Sequence, residues 1–183
     1  MTTGGRYAML KYEKPDTPIR VRIWGYINEF TLYAFIGWVY ETICESIFAH
    51  TLILNRGYLH LPVCPIYGFG AFIALWIMHR FKKLNAFQIF AGGVVITTVV
   101  EYIAALIIEA VLHKTLWDYS AWICNFQGRI SLISSMIFGL GCLGAYKLRP
   151  TMERYCINKK WIRVTALIEL AAMAADFIII TFL

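Results

Sequence analysis

The chain has 183 residues, 60% of them hydrophobic and only 15% charged. A soluble domain carries about 45–50% apolar and about 25% charged residues, so this composition excludes an ordinary water-soluble core and predicts one membrane domain. The net charge of +6 is accounted for by membrane topology, and no nucleic-acid partner is needed to explain it.

Residues 1–23 read as a short cytoplasmic tail containing Pro15 and Pro18, and "RVRIWGY" sets arginines and Trp24 at the inner interface. The tail lacks the short apolar run of a secretory signal, so the first hydrophobic segment is expected to stay as a helix. Residues 24–183 then form a single transmembrane helical domain. Its predicted spans are 24–54, 66–78, 86–112, 130–146 and 161–183. A span needs about 20 residues. The second segment is shorter, and either borrows from the preceding loop or is a partial or broken helix.

Fourteen of the 17 Lys and Arg fall on one side: Arg6, Lys11, Lys14, Arg20 and Arg22; Arg80, Lys82 and Lys83; Lys147, Arg149, Arg154, Lys159, Lys160 and Arg163. Arg56, Lys114 and Arg129 fall on the other. Positive loops stay cytoplasmic, which puts the N-terminus inside and the C-terminus outside a five-helix bundle in the cell membrane. Cys64 and Cys124 share the outer side. They either form a disulfide between two outer loops or stay unpaired, and the unpaired reading is preferred because sequence supplies no connectivity.

Three spans carry carboxylates. Each costs about 2.5–3.5 kcal/mol at mid-membrane on insertion scales, so each must be paired, protonated or wet. Glu29 reads as interfacial. Glu41 and Glu45 lie one turn apart on one helix face. Glu101 sits mid-helix and Glu109 near the outer end of the same span, and Glu169 and Asp176 share a stripe of the last. The loop "NRGYLHLPVCPIYGFGA" holds Arg56 and Tyr67. Its Pro62 and Pro65 forbid a continuing helix, and its backbone must pack on protein or line a wet cavity. The loop "HKTLWDYSAWICNFQGRIS" adds Asp118, Tyr119, Asn125 and Arg129. In the fourth span Ser131, Ser135 and Gly139 make a small-residue line that admits a close neighbour, and Gly92-Gly93 reads the same way. The expected site is an extracytoplasmic-facing polar pocket of Glu41, Glu45, Arg56, Tyr67, Glu101, Tyr102, Glu109, Asp118, Tyr119, Asn125 and Arg129. The plainer alternative is that Glu101–Arg129 or Glu41–Arg56 are buried structural pairs.

"RGYLHLPVCPIYGFG", Glu101-Tyr102, "WDYS" and "NFQGRISLISSMIFG" resemble the bacterial small membrane proteins of ABC-transporter type IV, the CmpB-like permease family. The resemblance covers about 56–139. It places family positions at Arg56, Gly57, Pro62, Pro65, Ile66, Tyr67, Gly68, Gly70, Glu101, Tyr102, Trp117 to Ser120, Asn125, Gly128, Arg129 and Ser135. The chain departs from the pattern at Leu61, where Gly is expected, and at Phe138, where Trp is expected. The resemblance implies a membrane transport component.

This sequence holds no GxxxxGK[ST], so a transporter of this type would take its ATPase from a separate cytoplasmic polypeptide. Its small size suggests a homo-oligomer among membrane lipids. An intramembrane enzyme on a lipid-linked phosphate is the alternative, with Arg56 and Arg129 as phosphate ligands. A structural or regulatory subunit is the second. No catalytic motif occurs, and His60 and His113 read as lone interface histidines. No cofactor is expected. A divalent cation on the carboxylates would be chemically suitable but has no motif behind it.

Overall fold

The computed structural model describes residues 19–54, 57–81, 83–156 and 161–182. Five helices dominate: α1 (Ile19–Phe48), α2 (Pro65–Met78), α3 (Ala86–Leu112), α4 (Leu132–Cys156) and α5 (Trp161–Phe182). A two-stranded antiparallel hairpin, β1 (Asn125–Phe126) and β2 (Ile130–Ser131), sits between α3 and α4.

Local chemistry sets the boundaries. Pro65 opens α2, where its missing N–H costs nothing. Asn85 caps α3 by accepting from the Gln88 N–H at 2.9 Å while the Gln88 side chain accepts from the Asn85 N–H at 3.0 Å. His113 ends α3 in the left-handed conformation. Helix α1 begins five residues before the expected span and stops at Phe48 rather than residue 54. Helix α4 runs on to Cys156 through Pro150. The segment expected as a basic inner loop is therefore helical up to residue 156, because Lys, Leu, Arg, Met and Glu are all good helix formers and carry the helix past its apolar part.

Helix α2 packs on α1, α3 and α4; α3 lies along α4; α5 lies along α1; α1 and α4 meet over a short stretch. Ala74 and Met78 of α2 pack with Ile89 of α3 and Cys142 of α4. Leu75 packs with Tyr33 of α1 and Ala145 of α4. The α3–α4 contact is the closest. A Cβ on Gly93 would lie 2.7 Å from Cys142 Cβ, and one on Gly139 would lie 2.5 Å from Val94 Cγ2 and 3.0 Å from the Phe90 carbonyl oxygen. Thr98 donates to Ser135 Oγ across the same seam at 2.7 Å. Ser135 and Gly139 of the line Ser131, Ser135 and Gly139, and Gly93 of the Gly92-Gly93 pair, meet at this seam, while Ser131 lies in β2 before α4 begins.

With 14 residues, α2 is about 21 Å long, short of a ~30 Å hydrocarbon core. A non-helical segment, residues 57–64, precedes it. Leu59 and Val63 are buried against Ala34 of α1 with Met173 and Ile180 of α5 alongside. Asp176 of α5 accepts from the Leu61 N–H at 2.9 Å and meets His60 Nδ1 at 3.0 Å. The segment packs on protein, one of the two outcomes its prolines demanded. Leu61 keeps a negative φ, so glycine is not required there.

Helices α3 and α5 are inverted relative to water-soluble ones. On α3 the buried stripe is Ile89, Gly93, Thr97, Glu101 and Ala105, while Val95, Val99, Ile103 and Ile107 are each at least half exposed. On α5 Asp176 is buried and Ile168, Phe177 and Ile178 face outward. An apolar exterior over buried polar residues suits hydrocarbon, not water. Both helices are long and apolar enough to cross a membrane, with mean hydropathies of 2.1 and 2.0. The protein is an all-helical membrane protein.

Two glycines two residues apart separate tight packing from open space. Gly139→Ala should lower stability by about 1–3 kcal/mol through overpacking against α3. At Gly141 an added Cβ meets nothing within 4 Å. Gly141→Ala should leave the melting temperature unchanged or raise it slightly, since alanine is the better helix former. Thermal unfolding in detergent compares the two.

Candidate functional site

A cavity of about 590 Å³ lies between α1, α2, α3 and α4. Helix α1 contributes one face to it through Tyr33, Gly37, Tyr40 and Glu41; α3 contributes Thr97 and Glu101; α4 contributes Phe138, Gly141 and Gly144. A second, more polar cavity of about 470 Å³ adjoins it, reaching Cys44 and Glu45 of α1 and residues 115–119 and 122 of the loop. The two share Tyr40, Glu41, Trp117 and Tyr119 as a common wall.

That wall is built by close approach. A Cβ on Gly37 would lie 2.1 Å from Tyr67 Cγ, so the absence of a side chain on α1 is what seats the Tyr67 ring. The ring packs edge-on against Phe138 at 5.2 Å. Phe138, which replaces the expected Trp, keeps an aromatic partner there. The Tyr67 hydroxyl donates to Glu41. Across the wall the Tyr119 hydroxyl donates to Glu101 Oε1 at 2.9 Å. Burial, and next the nearby Glu101 carboxylate, push the Tyr119 phenol well above its usual range, so it stays a proton donor. Glu101 is 3% exposed, and its Oε2 has no hydrogen-bond partner.

The loop that supplies Tyr119 is held by its own hydrogen bonds. Gln127 (φ 54) and Gly128 (φ 68) both take the left-handed conformation that a type I′ hairpin turn requires. A Cβ on Gly128 would meet Ser120 Oγ at 2.6 Å and Asp118 Oδ1 at 2.7 Å. The Tyr119 N–H donates to the Gly128 carbonyl at 2.7 Å. Trp117 Nε1 donates to the Arg129 carbonyl at 2.9 Å. Asp118 accepts from the Ser120 hydroxyl at 2.5 Å and the Ser120 N–H at 2.8 Å, and these bonds hold its carboxyl below the usual range.

Of the residues expected at one site, Glu41, Tyr67, Glu101 and Tyr119 line the main cavity, and Glu45 and Asp118 line the outer one. The others part from them. Arg129 binds Glu109, not Glu101, through Nη2 to Oε2 at 2.6 Å and Nε to Oε1 at 3.0 Å. Its place beyond the hairpin turn brings it level with Glu109, about two turns along α3 from Glu101. Tyr102 points to Gln127 at 2.9 Å, outside the cavity. The Asn125 amide serves the loop backbone at Ser120 and Trp122. Arg56 lies outside the described residues. No disulfide joins Cys64 and Cys124. Among the described residues no three His, Cys, Asp or Glu gather as a metal site.

Sequence reading missed three features. Tyr33, Gly37 and Tyr40 line the cavity, and their spacing of three to four residues on one helix was the available signal. Trp117, placed in the sequence only as a family position, forms part of the wall. Glu29, read as interfacial, is 3% exposed. It accepts from the Tyr33 hydroxyl at 2.8 Å and lies 3.7 Å from Arg149 Nε at the far end of the cavity.

The helices combine an apolar exterior with a mostly apolar cavity that Glu41 and Glu101 border. The family model described as "Putative ABC-transporter type IV" matches residues 28–181, and the chain belongs to that family. No curated protein and no solved structure matches the chain. The family description is that of an ABC-transporter-type component and is consistent with an ATPase partner.

Gly37→Val should expel the Tyr67 ring and cost about 1–3 kcal/mol by overpacking. Tyr67→Phe keeps the ring and removes only the bond to Glu41, so it should cost about 1 kcal/mol. Chemical denaturation in detergent, followed by tryptophan fluorescence, orders the two.

Proposed function

We propose that the chain is the permease component of a transporter, with all five helices crossing the bilayer and the cavity as its substrate path. The buried Glu101 carboxylate, facing a cavity shared with Glu41, is the observation that carries this reading. Ionisable groups inside a membrane protein that face a cavity, not lipid, are the usual material of substrate and ion paths. The short α2 with its irregular approach segment fits the same reading, since non-helical backbone at membrane depth is kept where it is covered by protein.

The concentration of Lys and Arg before α1, between α2 and α3, and at the end of α4 supports a cytoplasmic N-terminus and an external C-terminus. On that topology the hairpin loop and the polar outer cavity face the extracytoplasmic side. The Glu29–Tyr33–Arg149 cluster then closes the cytoplasmic end. The enzyme reading loses one proposed phosphate ligand, because Arg129 is taken by Glu109.

Cys124 is an exposed free thiol in the hairpin loop, while Cys64 and Cys142 are buried. A membrane-impermeant maleimide added to intact cells should label the chain, and Cys124→Ser should remove most of that labelling. Labelling of Lys83→Cys, made on a Cys124→Ser background, should appear only after permeabilisation. The reverse pattern would overturn the topology. For transport, cells expressing wild type and Glu101→Gln at equal membrane levels are compared by untargeted mass spectrometry of cells and medium. Wild type should shift the distribution of at least one metabolite across the membrane relative to vector, and Glu101→Gln should abolish the shift. Identical distributions in all three would refute a permease.

A further inference from the structure

We propose that the cavity takes a neutral single-chain amphiphile ending in a hydroxyl, with the hydroxyl bonded to Glu101, the chain lying along α4, and entry from the side between α1 and α4. The inference rests on the permease reading of the same cavity and names its substrate class.

The head group follows from one buried oxygen. Glu101 lines the cavity and is 3% exposed. Its Oε1 accepts from the Tyr119 hydroxyl at 2.9 Å, and its Oε2 is buried without a hydrogen-bond partner. The terminal torsion of a glutamate is soft, so a modest turn brings Oε2 to the cavity. A buried carboxyl oxygen left unbonded is costly. A hydroxyl both donates and accepts, so it completes this bond whether the carboxyl is ionised or protonated. The site asks for one hydrogen-bonding group on the ligand and for no charge.

The route favours the same head group. Helices α1 and α4 touch where the Tyr33 hydroxyl donates to the Ala145 carbonyl at 3.5 Å. Beside that contact Gly141 and Gly144 line the cavity and are also exposed. A Cβ on either meets nothing within 4 Å. Across the seam, Ile36 lines the cavity while 48% exposed. The cavity is therefore open between α1 and α4, on the apolar exterior that suits hydrocarbon. A charged head entering this way would lose its hydration in the hydrocarbon. A hydroxyl loses far less on the same path.

The chain follows from the rest of the lining. The α4 wall runs from Ile137 to Leu148, about 17 Å at ~1.5 Å per residue. That length holds an extended dodecyl chain. Ile66, Ala71 and Val100 continue the apolar lining on α2 and α3. A volume of about 590 Å³ is within the common range for small-molecule sites, which pair an apolar lining with a few polar groups.

The probe is a dodecanol carrying a diazirine near the end of its chain, photolysed with the full chain in lipid nanodiscs. Peptide mass spectrometry maps the adducts. They should fall on the α4 wall, saturate, and be displaced by unlabelled dodecanol. Dodecane, which has no hydrogen-bonding group, should displace them about tenfold more weakly, the worth of one buried hydrogen bond. Dodecylammonium should displace them no better than dodecanol. Glu101→Leu should erase the advantage of dodecanol over dodecane. Gly144→Leu fills the seam and should prevent the adducts, and it decides the matter if Glu101→Leu does not fold. Unsaturable labelling, equal displacement by dodecane and dodecanol, or stronger displacement by dodecylammonium would overturn the ligand class. So would an advantage of dodecanol that survives in folded Glu101→Leu, or unchanged labelling of Gly144→Leu. The two readings fail separately. Dodecanol-specific labelling with no Glu101-dependent metabolite shift sinks the permease and keeps the ligand class. A metabolite shift without dodecanol-specific labelling does the opposite.

Discussion

The Tyr119 hydroxyl, donating to Glu101 at 2.9 Å, ties the hairpin loop to the middle of the helix bundle. Glu101 stands on the buried stripe of α3 between Thr97 and Ala105, where an unpaired carboxylate is costly. The phenol reaches it only because the loop is ordered independently. The left-handed turn at Gln127-Gly128, the Tyr119–Gly128 backbone bond and the Trp117–Arg129 bond fix where residue 119 stands. Loop order and helix polarity are thus one constraint: the carboxylate needs a donor, and the loop is shaped to deliver one.

The same rule connects the rest of the bundle. Asp176 of α5 binds the His60-Leu61 backbone and side chain and so fastens the segment before α2. Glu109 fastens the hairpin through Arg129. Glu29 joins Tyr33 and Arg149 and closes α1 on α4. Each acidic residue links its helix to a different element. In hydrocarbon, where apolar side chains gain little by meeting each other rather than lipid, polar ties and close glycine contacts set the arrangement.

Apolar runs located α2, α3 and α5 in the sequence to within a residue at each end, because there the helix and its membrane part coincide. They failed at α1 and α4, whose helices continue into polar residues with good helix propensity. Hydropathy finds the part of a helix that needs lipid, not where its hydrogen bonds stop. Costly residues were legible for the same reason: Glu41 and Glu101 stand out against their surroundings. Their partners were not. Glu101 and Glu109 lie eight residues apart, about 12 Å along α3, and Arg129 reaches only the one at the level of the hairpin turn. Tyr33, Gly37 and Tyr40 passed unremarked because aromatic and small residues carry no penalty in a span, although their spacing put them beside Glu41.

The glycines divide by what faces them. Gly37 and Gly68 receive the rings of Tyr67 and Phe30, and Gly93 and Gly139 bring α3 and α4 together. Gly141 and Gly144 receive nothing. Around α4, Gly139 and Gly141 differ by about 200°, so the face that closes on α3 is turned away from the face that borders the seam with α1. One helix therefore seals the bundle on one side and leaves it open on the other. The opening lies alongside the aromatic wall that carries Glu41 and Glu101. Among the described residues, the under-bonded Glu101 oxygen and the unfilled seam beside Gly141 and Gly144 border one cavity.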